Sequence, residues 1–329
     1  MKIAIYSAHK FEKEYLLGAS ANRHELFFLE TPLTLAAAPL AAGCEAVCIF
    51  VNDDGSEPVL QRLHELGVRY LLLRSAGFNH VAVEAARRLG MRVARVPEYS
   101  PYAVAEHTVA LMLALNRRLT KAHNRVREMN FMLDGLVGFD MHGKTAGVVG
   151  LGKIGKIVAQ ILRGFGCRVL AFDPYEDPDW ATRHDVTYAD LDTVCRESDI
   201  LTLHVPLSQQ TYHLIDKQRL SAVKKGLMLI NTSRGGLINT RDVIDALKTG
   251  QIGYLGLDVY EEEKGLFFED HSEEVLQDDV IARLMTFPNV LITSHQAFLT
   301  DTALHNIAQT TFENADCFEA AQPCENELN

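Results

Sequence analysis

Long apolar runs are missing from this 329-residue chain. The longest mostly apolar stretch, Ala103 to Leu115, contains Glu106 and His107. It falls short of the ~20 residues that cross a bilayer, so no membrane contact is expected. The opening run Met1 to Tyr6 ends too early for a secretory signal. Cysteine is sparse: the six are Cys44, Cys48, Cys167, Cys195, Cys317 and Cys324, and no two have C-x-x-C spacing. That removes the common redox and zinc signatures, and no metal is expected. Cys44, Cys48 and Cys167 lie in or beside apolar runs and read as buried thiols of a reducing cytoplasm. Basic charge is in deficit, 32 Lys and Arg against 43 Asp and Glu, giving a net charge of −11. Such a chain repels phosphate backbones, so nucleic acid is not an expected partner. No low-complexity segment or short-period repeat occurs, which sets aside disordered and solenoid classes.

What is present suits two packed domains: 47% apolar residues over a length too great for one ordinary core. Short β-prone runs at Lys2–Tyr6, Glu25–Leu29, Ala46–Val51, Tyr70–Leu73 and Arg92–Val96 alternate with helical patterns at Lys10–Leu17, Leu33–Ala42, Glu57–Leu66 and Val81–Leu89. Pro97 and Pro101 punctuate the chain, and one long helix is expected from Tyr102 to Met129, apolar first and basic later. A second alternation follows. Its strands read at Thr145–Val149, Arg168–Phe172, Ile200–His204, Leu227–Asn231, Tyr254–Leu257 and Val290–Thr293. Its helices read at Ile154–Phe165, Leu191–Glu197, Lys217–Val223 and Arg241–Lys248, with a tail helix from Asp301 to Ala320. Strand–helix alternation of this kind builds parallel sheets covered on both faces, an α/β class with two doubly wound units. The acidic stretch Glu261–Asp279 has apolar residues within it and reads as an ordered loop.

The sharpest motif is Gly150-Leu-Gly152-Lys-Ile-Gly155, preceded by the apolar strand Thr145–Val149 and followed by a helical run. That context is the one a dinucleotide needs. The first glycine permits a tight turn, the second lets the backbone approach a pyrophosphate, and the third lets helix and strand pack closely. The helix N-terminus then offers free N–H groups and the positive end of its dipole. Asp173 closes the next strand, about 20 residues on, where a carboxylate binds ribose hydroxyls and repels a 2′-phosphate. The expected cofactor is NAD rather than NADP.

Hydride transfer to a keto acid also needs a cation for the carboxylate, a proton donor for the developing alkoxide, and a partner for that donor. Arg234, in Asn231-Thr-Ser-Arg-Gly-Gly236, follows an apolar strand at its carboxyl end, where ligands bind, and can clamp a carboxylate bidentately. His295 and His204 each end a strand and compete for the donor role on position alone; Pro206, just beyond Val205, favours a cofactor-side loop for His204. Glu261, Glu262 and Glu263 follow another strand, and one of them beside a histidine would favour the imidazolium. Spacing does not choose among the three.

Gly150 to Gly155, Asp173, His204-Val-Pro206, Asn231 to Gly236, Asp258-Val-Tyr-Glu-Glu-Glu263 and Ser294-His-Gln-Ala-Phe298 together resemble the D-isomer-specific 2-hydroxyacid dehydrogenase family, and Val96-Pro97 and Ala105-Glu-His107 fit it too. The resemblance covers essentially the whole chain. It implies a discontinuous flavodoxin-like substrate domain, residues 1–100 with 300–329, and a Rossmann NAD-binding domain, 101–299, with the active site in the cleft. It assigns Arg234 to the substrate carboxylate, His295 to acid–base chemistry and Glu263 to tuning His295. The family's usual proline after that glutamate is replaced here by Lys264. It places Gly150, Gly152, Lys153, Ile154, Gly155, Asp173, His204, Val205, Pro206, Thr211, Thr232, Ser233 and Asp258 around the cofactor, Asp258 near nicotinamide and ribose. Ala76, Gly77, Tyr99 and Phe298 fall around the substrate. Gly265 to Asp270, Gln277-Asp-Asp279 and His295 to Leu299 resemble members that interconvert pyruvate and D-lactate. The alternatives are phenylpyruvate, a branched-chain keto acid or hydroxypyruvate as substrate, or an NAD-sensing binding protein. A homo-oligomer, dimer or tetramer, is expected, with the Tyr102–Met129 helix offering a surface for it.

Overall fold

The computed structural model describes residues 1–328 and divides into two compact units, residues 1–100 with 299–328 and residues 101–298. In the first unit five strands, β1 (Lys2–Ile5), β2 (Glu25–Phe28), β3 (Ala46–Ile49), β4 (Tyr70–Leu73) and β5 (Arg92–Ala94), form one parallel sheet in the order β2-β1-β3-β4-β5. That is the flavodoxin-like doubly wound order. Helices α1 (Lys10–Ser20), α2 (Glu57–Glu65), α3 (Val83–Arg88) and the C-terminal helix Asp301–Glu319 accompany it. β3 reads Ala-Val-Cys-Ile and is buried at every position because both sheet faces are covered, one by the cluster around Leu60 and Leu71, the other by that around Phe312 and Phe318.

The helix expected at Leu33–Ala42 is not formed; only a 3₁₀ turn, Ala38–Ala41, appears. Its alanines favour a helix, yet tertiary bonds hold the segment otherwise. Asp53 accepts the Leu33 N–H at 2.6 Å, the Tyr6 hydroxyl donates to the Ala37 carbonyl at 2.9 Å, and Pro39 has no N–H to give.

The second unit begins with α4 (Pro101–Asn116) and α5 (Leu119–Arg127). The single helix expected from Tyr102 to Met129 is therefore two. The break falls at Arg118, whose φ of +52° is left-handed. Asn116 ends α4 by donating to the Phe139 carbonyl and accepting the Phe139 N–H. α4 buries an almost wholly apolar surface, whereas α5 is basic and buries nothing, so no common face carries the helix through. Strands β6 (Thr145–Val149), β7 (Arg168–Phe172), β8 (Val186–Tyr188), β9 (Ile200–Leu203), β10 (Leu227–Asn231), β11 (Ile252–Leu257) and β12 (Val290–Ile292) follow. Helices α6 (Lys153–Gly164), α7 (Pro178–His184), α8 (Leu191–Glu197), α9 (Lys217–Ala222), α10 (Thr240–Thr249) and α11 (Asp279–Met285) alternate with them. The sheet is parallel throughout, in the order β12-β11-β10-β9-β6-β7-β8, which is the Rossmann order extended by one strand. No described helix is long and apolar enough to cross a membrane.

Candidate active site

A parallel sheet points all its carboxyl ends the same way. The loops after β6, β7, β9, β10, β11 and β12 therefore share one edge of the second unit, and they carry Gly150, Asp173, His204, Arg234, Glu263 and His295 in turn.

The glycine turn has the geometry a dinucleotide requires. Gly150 has φ +98°, and a Cβ there would sit 2.6 Å from the His204 carbonyl oxygen. A Cβ on Gly155 would lie 1.8 Å from the Gly150 carbonyl oxygen, so helix and turn can close only on glycine. Gly152, by contrast, faces open space and heads α6 with no side-chain cap, leaving first-turn N–H groups for an anion. Lys153 is exposed beside it, and Ile154 packs inward against the core. Asp173 braces the same turn: one carboxylate oxygen accepts the Leu151 N–H at 2.6 Å, the other the Tyr175 N–H at 2.8 Å. No basic residue stands in Pro174-Tyr175-Glu176 to meet a 2′-phosphate.

On the other side of the turn, Thr211 folds the Pro206–Thr211 loop on itself, donating to the Pro206 carbonyl and accepting the Ser208 N–H, both at 2.7 Å. The Ser233 hydroxyl donates to the Val205 carbonyl at 2.7 Å, tying that loop to the one bearing Arg234. His204 is held by its neighbour Thr202 (Oγ1 to Nε2, 3.0 Å), and burial pushes its imidazole down to about 3. It is a neutral ring, unsuited to a proton donor near neutral pH.

Arg234, Glu263 and His295 follow β10, β11 and β12, three adjacent strands. Arg234 is half-buried, its guanidinium touches the Ser233 carbonyl at 2.7 Å, and among the described residues no carboxylate pairs with it. A half-buried cation without an internal counter-charge is an anion site. His295 Nδ1 lies 3.2 Å from Glu263 Oε1, leaving Nε2 as the ring's other nitrogen. The three glutamates separate cleanly. Glu261 pairs with His213 and accepts from the Thr240 hydroxyl; burial works to raise its carboxyl, but these bonds outweigh it and hold it below the ordinary range. Glu262 is exposed. Glu263 alone faces His295.

Asp258, expected near nicotinamide and ribose, stands just past β11. It is fully buried, and its carboxylate accepts the Thr293 hydroxyl at 2.6 Å and the N–H groups of Gln296 and Ala297 at 2.9 Å each. From there it supports the turn carrying His295. Thr232 is buried, its hydroxyl 2.8 Å from that of Thr108, and Phe298 is buried at the end of the unit. Missed by the sequence reading were Thr293, Thr108 and the Glu261–His213 pair; polar side chains on apolar elements were the available signal.

The family model for the D-isomer specific 2-hydroxyacid dehydrogenase NAD-binding domain matches residues 109–297. The chain is 52% identical to D-lactate dehydrogenase of Escherichia coli strain K12, over all of both chains. The chain belongs to the D-isomer-specific 2-hydroxyacid dehydrogenase family. The same architecture recurs in the apo-structure of the E. coli D-lactate dehydrogenase, with a TM-score of 0.92 at 49% identity over all of both chains. It recurs too in the pyruvate reductase of Chlamydomonas reinhardtii, with a TM-score of 0.94 at 44% identity over 99% of this chain and 98% of that one. As a member of this dehydrogenase family the protein is an NAD-dependent oxidoreductase, and the open Gly152 cradle, the uncapped α6 terminus and Asp173 are what such a cofactor needs.

In the first unit, the expected substrate contacts Ala76 and Gly77 lie just past β4. Their loop is braced by the Ser75 hydroxyl on the Gly77 carbonyl and by Arg95 on the Ala76 carbonyl, each at 2.7 Å. Beneath it the buried Arg74 makes a bidentate pair with Glu12, both bonds 2.9 Å, and donates to the Tyr6, Ser7 and Cys48 carbonyls. Tyr99 is fixed through its carbonyl by Asn306 at 2.6 Å.

Proposed function

We propose that the protein is a D-lactate dehydrogenase, reversibly reducing pyruvate to D-lactate with NADH. The observation that carries this is the trio following β10, β11 and β12: an arginine with no carboxylate partner among the described residues, on the same sheet edge as a histidine whose Nδ1 is tied to a carboxylate. The full-length similarity to the E. coli enzyme supports pyruvate as the substrate.

In this reading the nicotinamide, when bound, supplies the hydride to the keto carbon. Arg234 takes the substrate carboxylate in its guanidinium fork and so aims the C2 oxygen. His295 gives the Nε2 proton to that oxygen as the carbonyl becomes an alkoxide, and recovers it in the reverse direction. Glu263 accepts from Nδ1–H, fixing the ring's orientation and leaving Nε2 for the substrate. Gly150, Gly152, Lys153, Ile154 and Gly155 hold the pyrophosphate and Asp173 the ribose; Val205, Pro206, Thr211, Thr232 and Ser233 line the cofactor loops, with His204 behind them. Ala76, Gly77, Tyr99 and Phe298 serve the substrate. The enzyme is read as cytoplasmic, in keeping with six unbridged cysteines. It is read as a homo-oligomer because Val126, Met129, Phe131, Met132, Leu133 and Val137 are all more than half exposed, an apolar run suited to a second copy. A monomer in equilibrium sedimentation would refute that last point.

The deciding assay is NADH oxidation with pyruvate beside phenylpyruvate, 2-ketoisocaproate and hydroxypyruvate, and the reverse reaction with D- and L-lactate. Preference for pyruvate, with only D-lactate oxidised, is expected. Preference for a bulkier acid keeps the mechanism and moves the substrate. NADH binding without turnover would replace the enzyme with a binding protein.

A further inference from the structure

Two consecutive residues of α4 reach two catalytic loops of the same unit. Thr108 is buried with its hydroxyl 2.8 Å from that of Thr232, in the loop that carries Arg234. His107 places Nε2 3.1 Å from Thr293 Oγ1 and 3.4 Å from Asp258 Oδ1. Because the Thr293 hydroxyl donates to Asp258, its oxygen is left as the acceptor, so His107 carries its hydrogen on Nε2 and donates. The chain of bonds then runs from His107 through Thr293 to Asp258, and from Asp258 to the backbone N–H groups of Gln296 and Ala297. The Asp258 carbonyl also accepts the His295 N–H at 2.7 Å. His295 needs such a clamp, for its φ is +52°, a left-handed conformation that a non-glycine residue keeps only when its surroundings impose it.

We propose that His107 is a positioning residue for proton transfer. Acting through Thr293 and Asp258, it fixes the turn 295–297 so that His295 Nδ1 stays on Glu263 and Nε2 stays aimed at the substrate oxygen. The other side-chain and backbone donors to the buried Asp258 carboxylate all come from residues 293–297; His107 adds a polar partner from a separate, rigid element. The proposal rests on His295 being the acid–base group.

The test compares His107→Ala, Thr293→Val, the double variant and His107→Gln, reading kcat for pyruvate reduction, NADH affinity by fluorescence titration, and melting temperature. Misaimed proton transfer should lower kcat by about ten- to a hundredfold in each single variant, with NADH affinity and melting temperature held. The double variant should be no worse than either single, since both cut one chain. His107→Gln, which keeps an N–H donor, should recover most of the loss. A His107→Ala kcat within about twofold of wild type, multiplicative losses in the double variant, or Gln no better than Ala would each overturn the proposal. So would a loss matched by weaker NADH binding and early melting. His295→Gln separates the two readings: if it retains turnover, the acid–base assignment itself fails, whereas an inactive His295→Gln beside a normal His107→Ala removes only the role of His107.

Discussion

At the scale of single residues, charge and hydrogen-bond geometry decide what each group does. Arg234 presents a planar fork that no acid among the described residues occupies. Lysine would keep the charge and lose the second bond, so Arg234→Lys should raise the keto-acid KM by about tenfold or more, the worth of one charged hydrogen bond, while NADH affinity stays put. Unchanged KM would take Arg234 off the carboxylate. Glu263 lies against His295 Nδ1 and fixes which way the ring faces. Glu263→Ala should release that ring and lower kcat for pyruvate reduction by about ten- to a hundredfold, while NADH affinity stays put. Glu262→Ala, at an exposed position, should leave kcat alone; a loss there instead would transfer the role. This distinction was not legible in Glu261-Glu262-Glu263, because three identical carboxylates in a row differ only in which way the chain turns after β11. His204 and His295 were level for the same reason: each ends a strand, and only the fold shows that His204 meets a threonine and His295 a carboxylate.

At the scale of elements, local pattern succeeded wherever tertiary demands agreed with it. The runs Thr145–Val149 and Leu227–Asn231 are buried on both faces and could only be central parallel strands, and the glycine fingerprint sits between strand and helix as its spacing requires. The pattern failed where distant groups intervened. Asp53 and Tyr6 hold Leu33–Ala42 out of a helix, and Asn116 with Phe139 ends α4 although the sequence on both sides favours helix. The short strand β8, with only one of its three residues buried, offered too little apolar signal to be read. Two glycine substitutions test this view of what the elements need. Gly18 lies inside α1, exposed, with ordinary φ and nothing within 4 Å of a new Cβ. Gly18→Ala should stabilise the protein by about 0.4–1 kcal/mol, through fewer unfolded conformations. Gly155→Ala should instead force α6 away from the Gly150 turn and abolish tight NADH binding, because its Cβ would overlap the Gly150 carbonyl. Chemical denaturation and NADH titration check the pair; a destabilised Gly18→Ala or a normally binding Gly155→Ala would show that these elements are held by something other than the stated contacts.

At the scale of the whole molecule, two units with separate cores need not unfold together. The single tryptophan, Trp180, is buried in the second unit, so its fluorescence follows that unit alone. The unit contains His204, whose ring is held neutral by burial down to about pH 3. An exposed histidine in the unfolded chain takes up its proton near pH 6.5. Between those values the unfolded state binds the extra proton, so acidification favours unfolding and stability rises with pH. His204 alone contributes a slope of up to about 1.4 kcal/mol per pH unit over that window, and nothing above it. Carboxylates titrate toward the lower end of the same window, so the comparison belongs between proteins rather than between pH values. His204→Gln keeps a neutral partner for Thr202 and removes the titration. Urea midpoints followed through Trp180 at pH 7, 6 and 5 should fall less steeply for the variant than for the wild type, whatever its stability at pH 7. Parallel lines for the two proteins would mean that the native His204 ring takes up its proton as readily as the unfolded one, and that its packing against Thr202 does not hold it neutral.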